Sequence, residues 1–263
     1  MDETLALALA SPGKLTNFWG KSGAGKTIVA MSLALAELEA GGKVIYLTDE
    51  PRDVAAKLAI VFRTDATGAT TFPSMIDNFL LVRIRHFANQ TDMIEQLPFA
   101  FLPPREFTDS PEFKNFVENA ENYINESVVK SFEVYQPPTM VVVDEFTRLY
   151  KHQATGGDLG ELNPQLALQL GFLKTMAQDK GVKVVLTSSS KTILENNLND
   201  SQQKFIEVPI INELLEYYTD IDAQITWTGR AGERAIEITG RDAYQGRFYV
   251  DLADLHKPQN EVS

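Results

Sequence analysis

The chain has 263 residues, 44% hydrophobic and 23% charged, with a formal net charge of −12; that composition suits one α/β domain and gives no global attraction to nucleic acid or to an anionic membrane. The absence of cysteine excludes disulfides, thiolate metal sites and a cysteine nucleophile. No run approaches the roughly 20 apolar residues of a membrane span, and Met1–Ala10 carries acidic rather than basic charge, so a cytoplasmic protein without a secretory leader is expected.

The first strand is expected at Leu15–Trp19. It is followed directly by Gly20-Lys21-Ser22-Gly23-Ala24-Gly25-Lys26-Thr27, and then by a helix from Thr27 to about Ala40 that sets Ile28, Met31, Leu35 and Leu38 on one face. The loop reads G-x-x-x-x-G-K-T, the phosphate-binding loop of nucleoside-triphosphatases, in the strand–loop–helix context that the motif needs. Its glycines let successive backbone N–H groups turn inward as an anion nest, and the helix N-terminus behind it adds partial positive charge. Lys26 is suited to bridge the β- and γ-phosphates, and the Thr27 hydroxyl to ligate magnesium.

Gly41-Gly42 stops the helix, and Val44–Leu47 reads as a buried parallel strand ending at Thr48-Asp49-Glu50-Pro51. A helix is expected from Pro51 to about Phe62, and a second buried strand at Phe79–Ile84. The stretch from Thr91 to Pro138 is irregular, with Pro98, Pro103, Pro104 and Pro111, and then a helical pattern through Phe113, Phe116, Val117, Ala120, Tyr123 and Ile124 with many glutamates. It reads as an acidic excursion from the core, either a solvated helix face or a docking surface for a basic partner.

After Pro137-Pro138, Met140–Val143 is a short buried strand that ends in Asp144-Glu145. A polar loop covers Gln153–Asn163, a helix Pro164 to about Lys180, and a strand Val182–Thr187. Ser188 to Lys204 is polar and reads as a loop. The remaining runs, Ala223–Thr228, Arg234–Thr239 and Arg247–Val250, alternate at period 2 between glycine turns. The expected architecture is one α/β domain over residues 1–263: a mostly parallel sheet with helices on both faces, antiparallel strands at its C-terminal edge, and the acidic excursion at about 91–138.

An apolar strand ending in Asp far downstream of the phosphate loop completes a magnesium-dependent site. Asp144 should emerge at the carboxyl edge of the sheet, where open α/β sheets place ligands, and hold the metal through water; the plainer reading is a strand-end Asp that caps a turn. Hydrolysis also needs a group to orient or deprotonate water. Glu50 and Glu145 both reach that edge, and either could serve.

The order of these parts resembles the ATPase core of the RecA/RadA recombinase superfamily. Val143-Asp144-Glu145-Phe146-Thr147-Arg148-Leu149-Tyr150 and the tail from Arg234 to Asp251 are most similar to the archaeal RadB-type paralogues. The resemblance spans most of the chain and is weak between Thr91 and Pro138. It implies a RecA-like three-layer core, ATP as the nucleotide with Mg2+, and a water-activating role for the acid at Glu50. It also implies homo-oligomers in which a neighbour's basic residue reaches the γ-phosphate, with Arg241 first and Arg230 second as candidates.

The departures matter as much. The position after the second-motif Asp usually carries a small residue and here is Glu145. The strand ending at Thr187 usually leads into Asn-Gln, whose amide senses the γ-phosphate; here Ser188-Ser189-Ser190 follow, which leaves Ser189 as the candidate sensor. Lys191 and Lys204 are offset by Glu195 and Asp200, so binding of single-stranded DNA is expected to be weak. The leading expectation is an ATP-binding, slowly hydrolysing RadB-like protein that assists a recombinase in DNA recombination or repair. The alternatives are a clock-type or archaellum-accessory ATPase with a protein partner and no DNA, a small-molecule phosphotransferase, and a binding-only nucleotide switch.

Overall fold

A computed structural model describes residues 8–63, 78–98, 137–155, 159–195, 204–240 and 245–253. The strands are β1 (Leu15–Gly20), β2 (Val44–Thr48), β3 (Phe79–Arg83), β4 (Met140–Val143), β5 (Lys183–Glu195), β6 (Lys204–Pro209), β7 (Ile221–Trp227), β8 (Glu233–Thr239) and β9 (Gly246–Asp251). The helices are α1 (Lys26–Glu39), α2 (Pro51–Arg63), α3 (Phe87–Gln96), α4 (Arg148–Ala154), α5 (Leu159–Lys180) and α6 (Asn212–Tyr218). Among the described residues the strands form one sheet in the order β3-β2-β4-β5-β1-β7-β8-β9, with β6 paired to β5 alone. The pairings from β3 across to β7 are parallel, whereas β7–β8, β8–β9 and β5–β6 are antiparallel. This is the expected α/β core with an antiparallel C-terminal edge.

The central strands are apolar throughout because both faces of the sheet are covered. Alternate residues point to opposite faces. Val44, Tyr46, Met140 and Val142 face a core with α1, α2 and the strands β7–β9. Ile45, Leu47, Val141 and Val143 face a second core with α3, α4, α5 and α6. Helix α1 is sunk more deeply than a one-face pattern suggests. Val29, Ala30, Leu33 and Ala34 are buried beside Met31, Leu35 and Leu38, while Ile28 is only half-buried.

Several expectations are corrected. The polar stretch after Thr187 is not simply a loop, because β5 continues to Glu195 and pairs antiparallel with β6, matching Ile193 to Ile206 and Leu194 to Phe205. The β-branched and aromatic residues there favour a ribbon despite the serines. Helix α5 begins at Leu159 rather than Pro164, so the proline lies inside it as the sixth residue, where it removes one intrahelical hydrogen bond within the first two turns. Helices α3, α4 and α6 were not anticipated. The helical pattern expected at Phe113–Ile124 lies outside the described residues, and so does most of the acidic excursion.

The register places the site. Leu47, Val143 and Leu186 lie level across β2, β4 and β5, and Phe18 of β1 lies level with Thr187. The residues that follow these positions therefore meet at one carboxyl edge: Glu50 from β2, Asp144 and Glu145 from β4, Thr187–Ser189 from β5, and the glycine loop from β1.

Candidate nucleotide-binding site

The loop backbone takes the shape that its glycines allow. Gly23 and Gly25 have φ of 78° and 100°, a region that costs other residues a steric penalty. Gly20 has a different constraint, since a Cβ there would lie 2.4 Å from the carbonyl oxygen of Ile225. Helix α1 starts at Gly25 with no side-chain cap and no acid in its first turn. Its leading N–H groups therefore point into the loop without a side-chain acceptor, as an anion-binding helix end requires.

Lys26 is buried, 3% exposed, and its ammonium is held in place. Nζ donates to the carbonyl oxygens of Gly20 and Lys21, each at 3.3 Å, and lies 3.2 Å from Glu145 Oε1. Thr27 Oγ1 donates to Asp144 Oδ1 at 3.1 Å, and Thr187 Oγ1 donates to the same oxygen at 2.7 Å. Asp144 is 5% exposed. Burial is the main cause that pushes its carboxyl up to about 6; the two hydroxyls oppose the shift and the Glu145 charge adds to it. A buried carboxylate is costly to ionise, and a divalent ion beside it would relieve that cost.

The donor set fits magnesium held with phosphate. Among the described residues no group of three or more His, Cys, Asp or Glu could hold a metal ion. An ion at Thr27 and Asp144 would thus draw its remaining oxygens from phosphate and water, as magnesium commonly does.

Glu145 adopts φ of 54°, the only positive φ outside glycine among the described residues. Such a backbone persists where surrounding bonds over-determine it, and here they are visible. The Glu145 N–H donates to Thr187 Oγ1 at 2.7 Å, and Phe146 N–H donates to the Thr187 carbonyl at 2.8 Å. Ser189 N–H donates to Thr147 Oγ1 at 3.2 Å, and Ser189 Oγ donates to Glu145 Oε2 at 3.1 Å. From the other side, buried Gln90 donates to the Phe146 carbonyl at 3.1 Å and to Gln169 at 2.8 Å. The turn after β4 is thereby stitched to β5, the strand lying between β4 and β1.

Glu50 is placed differently. Its side chain is 51% exposed and pairs with Arg148, which also holds Asp49 Oδ2 at 3.1 Å. The Arg148 hydrogen bond is the main cause that lowers the Glu50 carboxyl below its usual range, whereas burial raises Asp49. The structure thus brings Lys26, Thr27, Asp144, Glu145 and Ser189 into one bonded group and leaves Glu50 in a separate ion pair at the same edge. Lys21 is exposed and pairs with Glu207 at 2.5 Å. Arg230 is 82% exposed at its side chain and lies 3.5 Å from Glu233. Arg241 lies outside the described residues.

Thr187 was missed in the sequence as a site residue, although a hydroxyl ending an apolar strand was there to notice. A second group carried no local signal. Ser188 Oγ donates to Asn17 Oδ1 at 2.8 Å, and Asn17 Nδ2 and Trp19 Nε1 donate to the two Asp222 oxygens at 2.9 and 2.6 Å. This network locks β5, β1 and β7 together just below the phosphate loop.

No family model matches the chain. It is 24% identical over 213 residues to the "DNA repair and recombination protein RadB" of Methanosphaera stadtmanae, covering 81% of this chain and 72% of that protein. It superposes on a crystal structure of "the RadB recombinase" with a TM-score of 0.59 at 18% identity, covering 94% of this chain and 92% of the other. No helix among the described residues is long and apolar enough to cross a membrane. By sequence this chain resembles RadB, and its fold is that of the RadB recombinase.

Proposed function

We propose that the protein binds ATP with magnesium at Gly20–Thr27, hydrolyses it slowly in the cytoplasm, and acts in DNA recombination or repair as an accessory to a recombinase. The observation that carries this reading is the chain Thr27–Asp144–Thr187 beside buried Lys26, with one carboxylate oxygen receiving both hydroxyls. The RadB relative supports the recombination context.

Lys26 would exchange Glu145 for phosphate oxygens, and Thr27 and Asp144 would hold the magnesium. The ion, when bound, neutralises charge on the phosphates. Glu50, kept ionised by Arg148, is the candidate base, and Glu145 is its competitor. Release of Glu145 from Lys26 would leave it hydrogen-bonded to Ser189, so Ser189 is the route by which the nucleotide could reach the β5–β6 ribbon. That ribbon exposes Ile193, Leu194 and Phe205, which supports a protein partner over a purely ionic hold on single-stranded DNA. Arg230 and Arg241 remain the basic residues that a homo-oligomer could place against a neighbour's nucleotide.

The test is ATP turnover by the purified protein with and without magnesium and with and without single-stranded DNA, at low and moderate salt. Slow, magnesium-dependent turnover that Lys26→Ala abolishes is expected, with at most weak, salt-sensitive stimulation by DNA. Failure of MgATP to stabilise the protein or to be turned over would sink the reading.

A further inference from the structure

The C-terminal strands lie against the phosphate loop, with contacts at Gly20, Gly23, Ala24 and Gly25. The end of β7 runs beside Gly20. At Gly23 a Cβ would sit 3.7 Å from Trp227 Cζ2, and at Gly25 one would sit 3.1 Å from Leu252 Cδ1. Between them, Arg234 of β8 donates from Nε to the carbonyl oxygen of Ala24 at 2.9 Å.

Arg234 is unusual for an arginine. It is only 5% exposed. Its guanidinium carbon lies 3.9 Å over the Trp227 ring, and Nη1 donates to the Glu233 carbonyl at 2.8 Å. Its Nε stands about as close to Gly25 as a van der Waals contact, 3.8 Å from a Cβ built there. A buried cation bonded to backbone carbonyls and an aromatic face, with no carboxylate among these contacts, is costly to keep. Two consequences offset that cost. The guanidinium binds the Ala24 carbonyl, which fixes that peptide within the loop. A fixed positive charge also sits immediately behind a nest that must hold several negative oxygens.

We propose that Arg234, stacked on Trp227, is a positioning residue of the nucleotide site: it fixes the phosphate-loop backbone in its anion-binding shape from the side away from the ligand. This deepens the ATP-binding reading and rests on it. It makes the antiparallel edge of the sheet part of the site rather than an appendage.

The test compares wild type, Arg234→Lys, Arg234→Met and Lys26→Ala for MgATP affinity by calorimetry, with turnover resolved into kcat and KM. Arg234→Lys keeps the charge and the fold but lacks the planar fork that serves Ala24, Glu233 and Trp227 together. Its affinity is expected to weaken about tenfold, the loss of one charge-assisted hydrogen bond, with KM moving and kcat nearly unchanged. Trp227 supplies an independent readout: MgATP should change the tryptophan emission of wild type, and Trp227→Phe should lose that change while still binding nucleotide. Folded Arg234→Lys and Arg234→Met proteins with wild-type affinity and KM would overturn the proposal. Should Arg234→Met fail to fold, Arg234→Lys and the Trp227 emission decide it. Wild type that binds no MgATP sinks the ATP reading itself, whereas wild type that binds while the Arg234 variants bind equally well sinks only the positioning role.

Discussion

Two pairs of consecutive acids stand at the same edge of the sheet and are treated in opposite ways. Asp144 and Glu145 follow β4. Asp144 is 5% exposed and receives two hydroxyls, and Glu145 is locked in a left-handed backbone by bonds to β5. Asp49 and Glu50 follow β2, and Glu50 is 51% exposed with the partly exposed Arg148 for a partner. A carboxylate embedded in a buried network is preorganised, while an exposed ion pair is worth little and rearranges readily. On the proposed reading, the nucleotide-binding half of the site is built in advance and the candidate water-activating half is not. Tight nucleotide binding with slow turnover is what that contrast implies.

The contrast can be broken most directly at Lys26. Lys26→Ala removes the buried ammonium and its bonds to the loop, and should weaken MgATP binding by roughly a hundredfold or more, as expected for several charge-assisted hydrogen bonds. Calorimetry measures it, and affinity within a few-fold of wild type would contradict the assignment.

Asp144→Asn sharpens the contrast by separating stability from function. The Asp144 carboxyl sits at about 6 in the folded protein, against about 3.9 in an unfolded chain. The folded state therefore holds the proton more tightly, so this group's contribution is fully present below about pH 4 and is lost as pH rises through about 6. In chelator at pH 8, Asp144→Asn should be more stable than wild type by up to about 2–3 kcal/mol, and the gap should close towards pH 4. Denaturant titrations across that range measure it. The same variant should lose the magnesium dependence of nucleotide binding.

Thr187→Val strips the hydroxyl that serves both Asp144 and the Glu145 N–H. A buried, unsatisfied N–H costs about 1–3 kcal/mol, so the melting temperature should fall by several degrees, with a parallel loss of magnesium affinity. An unchanged melting temperature would show that the turn after β4 does not depend on the Thr187 hydroxyl.

The smallest effects belong to the second acid pair. Glu50→Gln should leave MgATP affinity within a factor of about two, since an exposed pair contributes under about 1 kcal/mol, while slowing turnover. Equal turnover in Glu50→Gln and wild type would move the base assignment to Glu145, and unchanged turnover in both Glu50→Gln and Glu145→Gln would favour a nucleotide-binding switch.

Legibility in the sequence followed the same division. The phosphate loop, the strands at Leu15, Val44, Met140 and Lys183, and Asp144 could be read because each depends on local pattern: glycine spacing, a continuous apolar run, an acid at a strand end. The period-2 tail was legible for the same reason. What could not be read depends on residues far apart in the chain. Asn17 meets Asp222 and Arg234 meets Ala24 only after the sheet order is set. The ribbon beyond Thr187 was obscured by its serines, although Thr192, Ile193 and Phe205 favour it, because its pairing with β6 joins separated stretches of the chain. Pro164 misled because a proline marks a helix start more often than it sits just inside one.

The most direct measurement is a crystal structure of the protein with magnesium and a non-hydrolysable ATP analogue. The terminal phosphate is expected on Lys26 in place of Glu145, the magnesium beside Thr27 and Asp144, and Arg234 still bonded to Ala24 behind the loop. A nucleotide bound elsewhere, with Lys26 still paired to Glu145, would contradict it.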